Sequence, residues 1–215
     1  MKKFITTFAM FALVIVCGIS FAACGGNSKP LTLADFLAKI TDYQGNYSVK
    51  GTVSYNDGNA HLDQVDFEVD GVHSYCFVTC DYLTEDAYTY EAYTNIRDGG
   101  IDQWVWNTGT EAFDYLRYPN ETDNNRMYDV YNGYMLFLLD LNESMFTGSG
   151  TYTYVSGIDA LASCTIKTTS GGATVSAVYA ANTYGAADIT CTLSLTVTFG
   201  NASIPGADLV ISGPI

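Results

Sequence analysis

The 215-residue sequence predicts an α+β domain: a curved, largely antiparallel, half-barrel-like β-sheet with an N-terminal helix and a mid-chain helix packed on its concave face. Three observations predict it. Runs of alternating apolar and polar residues follow one another through most of the chain, and they are rich in Tyr, Thr and Val, residues that suit a pleated, half-buried surface. One apolar stripe at helical spacing precedes them. A second interrupts them mid-chain, so strands in series and two amphipathic helices bury each other's apolar faces.

The elements follow in order. Thr32-Leu33-Ala34-Asp35 has the form of a helix start, a capping hydroxyl with an acid in the first turn. Leu33, Phe36, Leu37, Ile40 and Tyr43 then recur on one face until Gln44-Gly45-Asn46 ends the helix. From Tyr47 the period becomes two. A strand to Tyr55 meets the hairpin composition Asn56-Asp57-Gly58-Asn59. In the next run Asp63, Val65, Phe67 and Val69 share one face, with Gln64, Asp66, Glu68 and Asp70 on the other, and Gly71 closes it. Further strands are predicted at 73–80, 87–94, 101–107 and 112–118. Thr122 to Leu141 carries Met127, Val130, Tyr131, Tyr134, Met135, Leu138 and Leu139, a helical pattern. Gly148-Ser149-Gly150 opens a turn-rich segment, Ile158 to Ala162 is predicted as a short helix, and strands return at 164–169 and 173–182. The clearest strand is Ile189 to Phe199, where Ile189, Cys191, Leu193, Leu195, Val197 and Phe199 alternate with Thr and Ser. A short final strand is predicted at 207–212.

The N-terminus has the anatomy of an export signal: Lys2 and Lys3, an uncharged apolar run from Phe4 to Ile19, then small residues. Ser20-Phe21-Ala22-Ala23-Cys24, followed by the flexible Gly25-Gly26-Asn27-Ser28, resembles the lipobox of bacterial lipoproteins. Phe21 stands where that family usually has Leu. The resemblance implies cleavage before Cys24 and at least two acyl chains on that cysteine. Two chains hold firmly where one holds weakly. A retained membrane helix is the rival reading, since Phe4–Ala23 is long enough to span a bilayer; the small residues before Cys24 favour processing. The expected organisation is a signal peptide over 1–23, a tether over 24–30 with lipidated Cys24, and one extracytoplasmic domain over 31–215, held at the cell membrane through its lipid. Residues 25–30, extended, reach only about 20 Å.

Charge and motifs exclude whole classes. After Cys24 the chain carries all 23 acidic residues against the seven basic ones that remain beyond Lys2 and Lys3, a formal charge of −16. Such a surface repels nucleic acid and anionic head groups. Asp66-Phe67-Glu68-Val69-Asp70-Gly71 resembles the start of a calcium loop, but Phe77 stands where the bidentate Glu belongs and the alternation reads as a strand. The histidines are His61 and His73, and neither a Gly-x-Ser-x-Gly nor a His-Glu-x-x-His occurs. The sequence therefore predicts no catalytic residue, metal site or cofactor, and a protein that is not an enzyme. Cys76 and Cys80, four apart, sit about 13 Å from each other if both lie in one strand, too far to bond. Cys164 and Cys191 occupy apolar faces of separate strands and are a candidate disulfide if those strands are neighbours; otherwise they are small core residues.

Tyr88, Tyr90, Trp104, Trp106, Tyr115 and Tyr118 lie within 31 residues. They fill a core or pair across strands, or they line a site for an apolar or sugar ligand; Tyr88, Tyr90, Trp104 and Trp106 are the candidate ligand-facing residues. The signal and lipobox, the short tether, the helix leading into Asn46-Tyr47-Ser48-Val49-Lys50-Gly51, the serial strands and the mid-chain helix together resemble the LolA/LppX-type lipoproteins. That resemblance implies a half-barrel holding a lipid or other apolar molecule between sheet and helices. The alternative is a surface adhesion or scaffold lipoprotein that meets a glycan or protein through its acidic Tyr/Trp-rich face.

Overall fold

The computed structural model describes residues 29–41, 45–56, 58–119, 138, 140–181 and 189–204. One α-helix, α1 (Leu33–Thr41), precedes eleven strands: β1 (Tyr47–Asn56), β2 (Ala60–Val69), β3 (His73–Cys80), β4 (Tyr88–Arg97), β5 (Gly100–Asn107), β6 (Ala112–Pro119), β7 (Phe146–Ser149), β8 (Thr151–Tyr154), β9 (Leu161–Thr168), β10 (Gly172–Ala181) and β11 (Ile189–Phe199). They form a single sheet in the order β6-β5-β4-β3-β2-β1-β11-β10-β9-β8-β7, every pairing antiparallel.

This corrects the α+β expectation. The described chain is almost all sheet, and α1, nine residues long, is its one α-helix. Two helices on a concave face are not its architecture. The stretch 122–141, expected to be the second helix, lies outside the described residues except for Leu138, Asp140 and Leu141, and a 3-10 turn at Glu143–Met145 follows it. The short helix expected at 158–162 is a turn running into β9. Its cause is Tyr154, whose hydroxyl accepts from Ile158 N at 2.7 Å and donates to Ile158 O at 3.0 Å, holding the loop in a shape no helix has. The final strand expected at 207–212 lies outside the described residues, as do Cys24 and the whole export signal.

Where two-residue periodicity was clear, the strands follow it. β11 spans Ile189–Phe199 and β3 His73–Cys80, as the pattern predicts. The odd-numbered face of β1, β2 and β11 is the buried one: Tyr47, Val49 and Val53, then Val65, Phe67 and Val69, then Leu193, Leu195 and Val197. α1 covers this face with Leu33, Phe36, Leu37 and Ile40. Each such side chain taken from water stabilises the fold by about 1.5–3 kcal/mol. Thr32 caps the helix: its hydroxyl accepts from Asp35 N at 3.1 Å and donates to the Asp35 carboxylate at 2.7 Å. The Tyr47 hydroxyl donates to Ile40 O at 3.1 Å and satisfies the other end.

The joint between β1 and β11 organises the whole. It unites the meander β1–β6 with the meander β7–β11 over nine paired positions, from Tyr47↔Phe199 to Tyr55↔Cys191. Gly51 lies within it because the strands approach too closely for a side chain. A Cβ there would overlap Ser194 O and sit 2.9 Å from Leu195 Cα. The described chain begins beside one end of this sheet: Leu31 N donates to Thr169 O at 3.0 Å, and the Thr168 hydroxyl donates to Leu31 O at 2.8 Å. Thr169 lies in the β9–β10 turn, so Leu31 is held at the end of the sheet opposite the β1–β2 hairpin. Among the described residues no helix is long and apolar enough to cross a membrane.

Candidate functional site

Two regions carry side chains that the core does not require. The first lies on the face opposite α1. Cross-strand pairing there aligns Glu68, Tyr75, Tyr93, Trp104 and Tyr115 from β2 to β6. Tyr75 and Tyr93 rings are 5.1 Å apart, Trp104 and Tyr115 5.3 Å. Beside this row Phe77 faces Glu91 and Trp106 faces Phe113, and the register Ala92↔Val105 brings these two pairs level. Tyr75, Tyr93 and Trp104 are buried, and Ile204, arriving from the end of β11, packs on them. Phe77, Trp106, Phe113 and Tyr115 are only partly buried. Such an aromatic belt on the far side of a sheet is a second small core with one open flank.

Carboxylates are set among these rings. Asp102 is fully buried, and its Oδ1 accepts from the Tyr115 hydroxyl at 2.7 Å and from Arg117 at 2.8 Å. Glu91 accepts from the Tyr93 hydroxyl at 2.7 Å. Lys50 bridges Asp66 at 2.9 Å and Glu68 at 2.8 Å, while Ser203 N donates to Glu68 and ties the segment after β11 across β2. Burial, followed by the negative field of Glu91, pushes the Tyr75 hydroxyl far above its ordinary pKa. Burial and the bond to Glu91 do the same to Tyr93. Both phenols therefore act as neutral hydrogen-bonding groups across the biological pH range.

The second region is the tip of the β1–β2 hairpin. Asp63 sits on the apolar face of β2, fully buried, and its Oδ1 accepts from Asp81 N at 3.0 Å. Asp81 has φ 55°, a left-handed backbone that Asp tolerates. Its carboxylate lies 2.5 Å from His61 Nδ1, and the His61 ring stacks on Tyr55 at 4.6 Å. Tyr82 N donates to Leu62 O at 2.7 Å. Together these bonds pin the β3–β4 loop onto β2. The pinned loop and the hairpin frame an open pocket of about 450 Å³, lined by Ser54, Tyr55, Asn56, Ala60, His61, Leu62, Leu83, Thr84, Thr190 and Thr192. Tyr82, Leu83 and Tyr88 stand exposed at this end.

The ligand-facing candidates are divided between these regions. Tyr88 and Tyr90 pair with Cys80 and Val78, on the α1 side of the sheet; Trp104 and Trp106 are on the other. They do not form one site, because one residue of offset between adjacent strands selects opposite faces. The disulfide proposed by sequence is also corrected. β10 lies between β9 and β11, Cys164 faces Ala177, and Cys191 faces Tyr179. A bond across an intervening strand exceeds disulfide reach. All four thiols of the domain are free. Burial pushes Cys76 and Cys164 up to about 12, and it raises Cys80 and Cys191 as well. None is a ready nucleophile. Asp66–Asp70 lies in β2 and the turn after it, as the alternation indicated. Among the described residues no three His, Cys, Asp or Glu side chains are grouped to hold a metal ion.

Sequence reasoning placed Asp63 on an apolar face but gave it no role, since its partner, the amide of Asp81, arrives through a loop 18 residues away. Comparison with protein families, with curated proteins and with solved structures returns no match to this chain.

Proposed function

We propose that this protein is a lipid-anchored, extracytoplasmic lipoprotein that holds a surface glycan against the aromatic, carboxylate-bearing face of its sheet. The anchor rests on the lipobox-like Ser20–Cys24. The observation that carries the binding role is the partly exposed set Phe77, Trp106, Phe113 and Tyr115, alternating across β3–β6 with Glu91 and backed by the buried row Tyr75–Tyr93–Trp104.

The chemistry fits a sugar chain. Ring faces pack against the apolar faces of pyranoses, and carboxylates accept their hydroxyls, which is the pairing of apolar wall and few polar groups that ligand sites use. Three strand spacings separate β3 from β6, about 14 Å, the span of a short oligosaccharide rather than of a stable protein interface. The formal charge of −16 favours neutral or cationic chains over anionic polymers. A lipid held between sheet and helix has less to support it: Phe36, Ile40, Tyr47 and Phe67 fill that space and are almost wholly buried.

Calorimetric titration of the mature chain with neutral oligosaccharides tests the proposal. Trp106→Ala is expected to weaken binding by about tenfold, the loss of one good aromatic contact. Unchanged affinity in Trp106→Ala and Phe113→Ala, both folded, would refute it.

A further inference from the structure

The geometry points to a second saccharide site, the pocket at the β1–β2 hairpin tip, which takes the neutral end of a glycan chain at the pole of the domain farthest from the membrane. This inference rests on the glycan-binding reading above and locates a different part of the ligand.

The argument starts with position. The chain reaches the sheet through Leu31, bonded to Thr168 and Thr169 at one end of the strands. The pocket lies at the other end, beyond the ten residues of β1. At about 3.3 Å per residue the two ends are about 30 Å apart. A short tether therefore holds one end near the bilayer and turns the pocket outward.

Next comes chemistry. The lining offers the hydroxyls of Ser54, Thr84, Thr190 and Thr192 and the amide of Asn56. Leu62, Leu83 and Ala60 supply apolar wall. Among the described residues its lining contains no Lys or Arg, so an anionic ligand finds no counter-charge there. Hydroxyl and amide groups arranged on an apolar wall match a ring that carries hydroxyls on its edge and C–H groups on its faces. The volume, about 450 Å³, is within the range of small-ligand sites.

Finally, the wall is fixed before any ligand arrives. Leu83 and Thr84 belong to the β3–β4 loop, and that loop is pinned by the bonds from Asp81 N to buried Asp63, from Asp81 to His61, and from Tyr82 N to Leu62 O. Thr84 is further bound to Asp81 O at 2.7 Å through its amide and 2.9 Å through its hydroxyl. A loop ordered in the free protein spares the ligand the entropy of ordering it.

The test uses the full mature chain and three probes: a neutral disaccharide, a sialylated disaccharide of the same length, and a basic hexapeptide. Binding is followed through the Leu83 methyl and Thr84 amide signals. The neutral disaccharide should shift both signals, and Thr192→Phe should weaken that pocket response by about tenfold or more by filling the pocket, whereas Trp106→Ala, which acts on the aromatic face, should weaken overall uptake and leave the response at Leu83 and Thr84 in place. Thr192 is exposed, so its substitution leaves the core intact; Leu83→Ala serves as the second variant. Disaccharide binding that is lost in Trp106→Ala but kept in Thr192→Phe and Leu83→Ala overturns the pocket while leaving the aromatic face as the glycan site. Preference for the sialylated probe or the peptide overturns the ligand class. Longer oligosaccharides that bind with no shift at Leu83 or Thr84 overturn the pocket alone; the absence of any saccharide binding overturns both readings.

Discussion

Replacing Gly51 by Ala examines the joint on which the architecture depends. The added Cβ would overlap Ser194 O and press on Leu195 Cα and Cδ2, both 2.9 Å away. Two of these three atoms are backbone, so relief requires β1 and β11 to separate rather than a side chain to turn. Overpacking in a close-packed interior costs about 1–3 kcal/mol, and more where backbone must move. The strand pair concerned joins the two meanders over nine positions, which places the loss near the upper end, about 3 kcal/mol. For a chain of this size that is a fall in Tm of roughly 6–12 °C. Gly171→Ala is the control: a Cβ there meets nothing within 4 Å. It should change stability by less than about 0.5 kcal/mol. Urea denaturation of both variants measures the difference. If Gly51→Ala lies within about 0.5 kcal/mol of the wild type, the tight β1–β11 contact does not exist and the sheet order is wrong.

Three further outcomes follow from polar groups of the sheet and its turns. Asp63→Ala removes the acceptor of Asp81 N; it should cost about 1–3 kcal/mol and speed hydrogen exchange at Asp81 before elsewhere, measured by amide exchange. Ser74 Oγ and Thr94 Oγ1 are buried on directly paired positions, with no hydrogen-bond partner among the described residues. The double variant Ser74→Ala, Thr94→Val should therefore be neutral or more stable in denaturant titration, against the loss of about 1 kcal/mol per bond expected if either hydroxyl were satisfied. Asp70 gives a pH effect: burial opposes its ionisation, but the His73 side chain and the amides of His73 and Val72 outweigh that and hold its pKa below the usual value. A depressed carboxylate stabilises the fold above about pH 4 and loses that contribution as pH falls through the folded-state value. Denaturation from pH 7 to 2 should show the gap between wild type and Asp70→Asn closing at the acid end.

The legible part of this fold was the part governed by local alternation. Ile189 to Phe199 and His73 to Cys80 could be bounded from sequence because apolar residues fall on every second position between turn residues. Their order in the sheet could not. The β1–β11 pairing joins residues more than 130 apart, and nothing in either strand alone names its partner. The same gap explains the thiols: Cys164 and Cys191 both face inward as their patterns require, yet whether β10 intervenes is a matter of topology. The helix expected at 158–162 failed because Tyr154, four residues before Ile158, takes both of its backbone groups. Trp104 and Trp106 were rightly singled out as sharing a face, but coupling them to Tyr88 and Tyr90 required a register that only β4–β5 pairing supplies. The loop that pins Asp81 to Asp63 and His61 left no local signature beyond one acid on an apolar face.

Both tryptophans of the chain lie on the aromatic belt, so their fluorescence reports directly on the proposed binding face. Titration of the mature protein with a neutral oligosaccharide should change the tryptophan emission saturably, and Trp106→Phe should remove most of the change. A ligand that binds with no tryptophan response, such as a lipid that co-purifies from the α1 side of the sheet, would contradict the account.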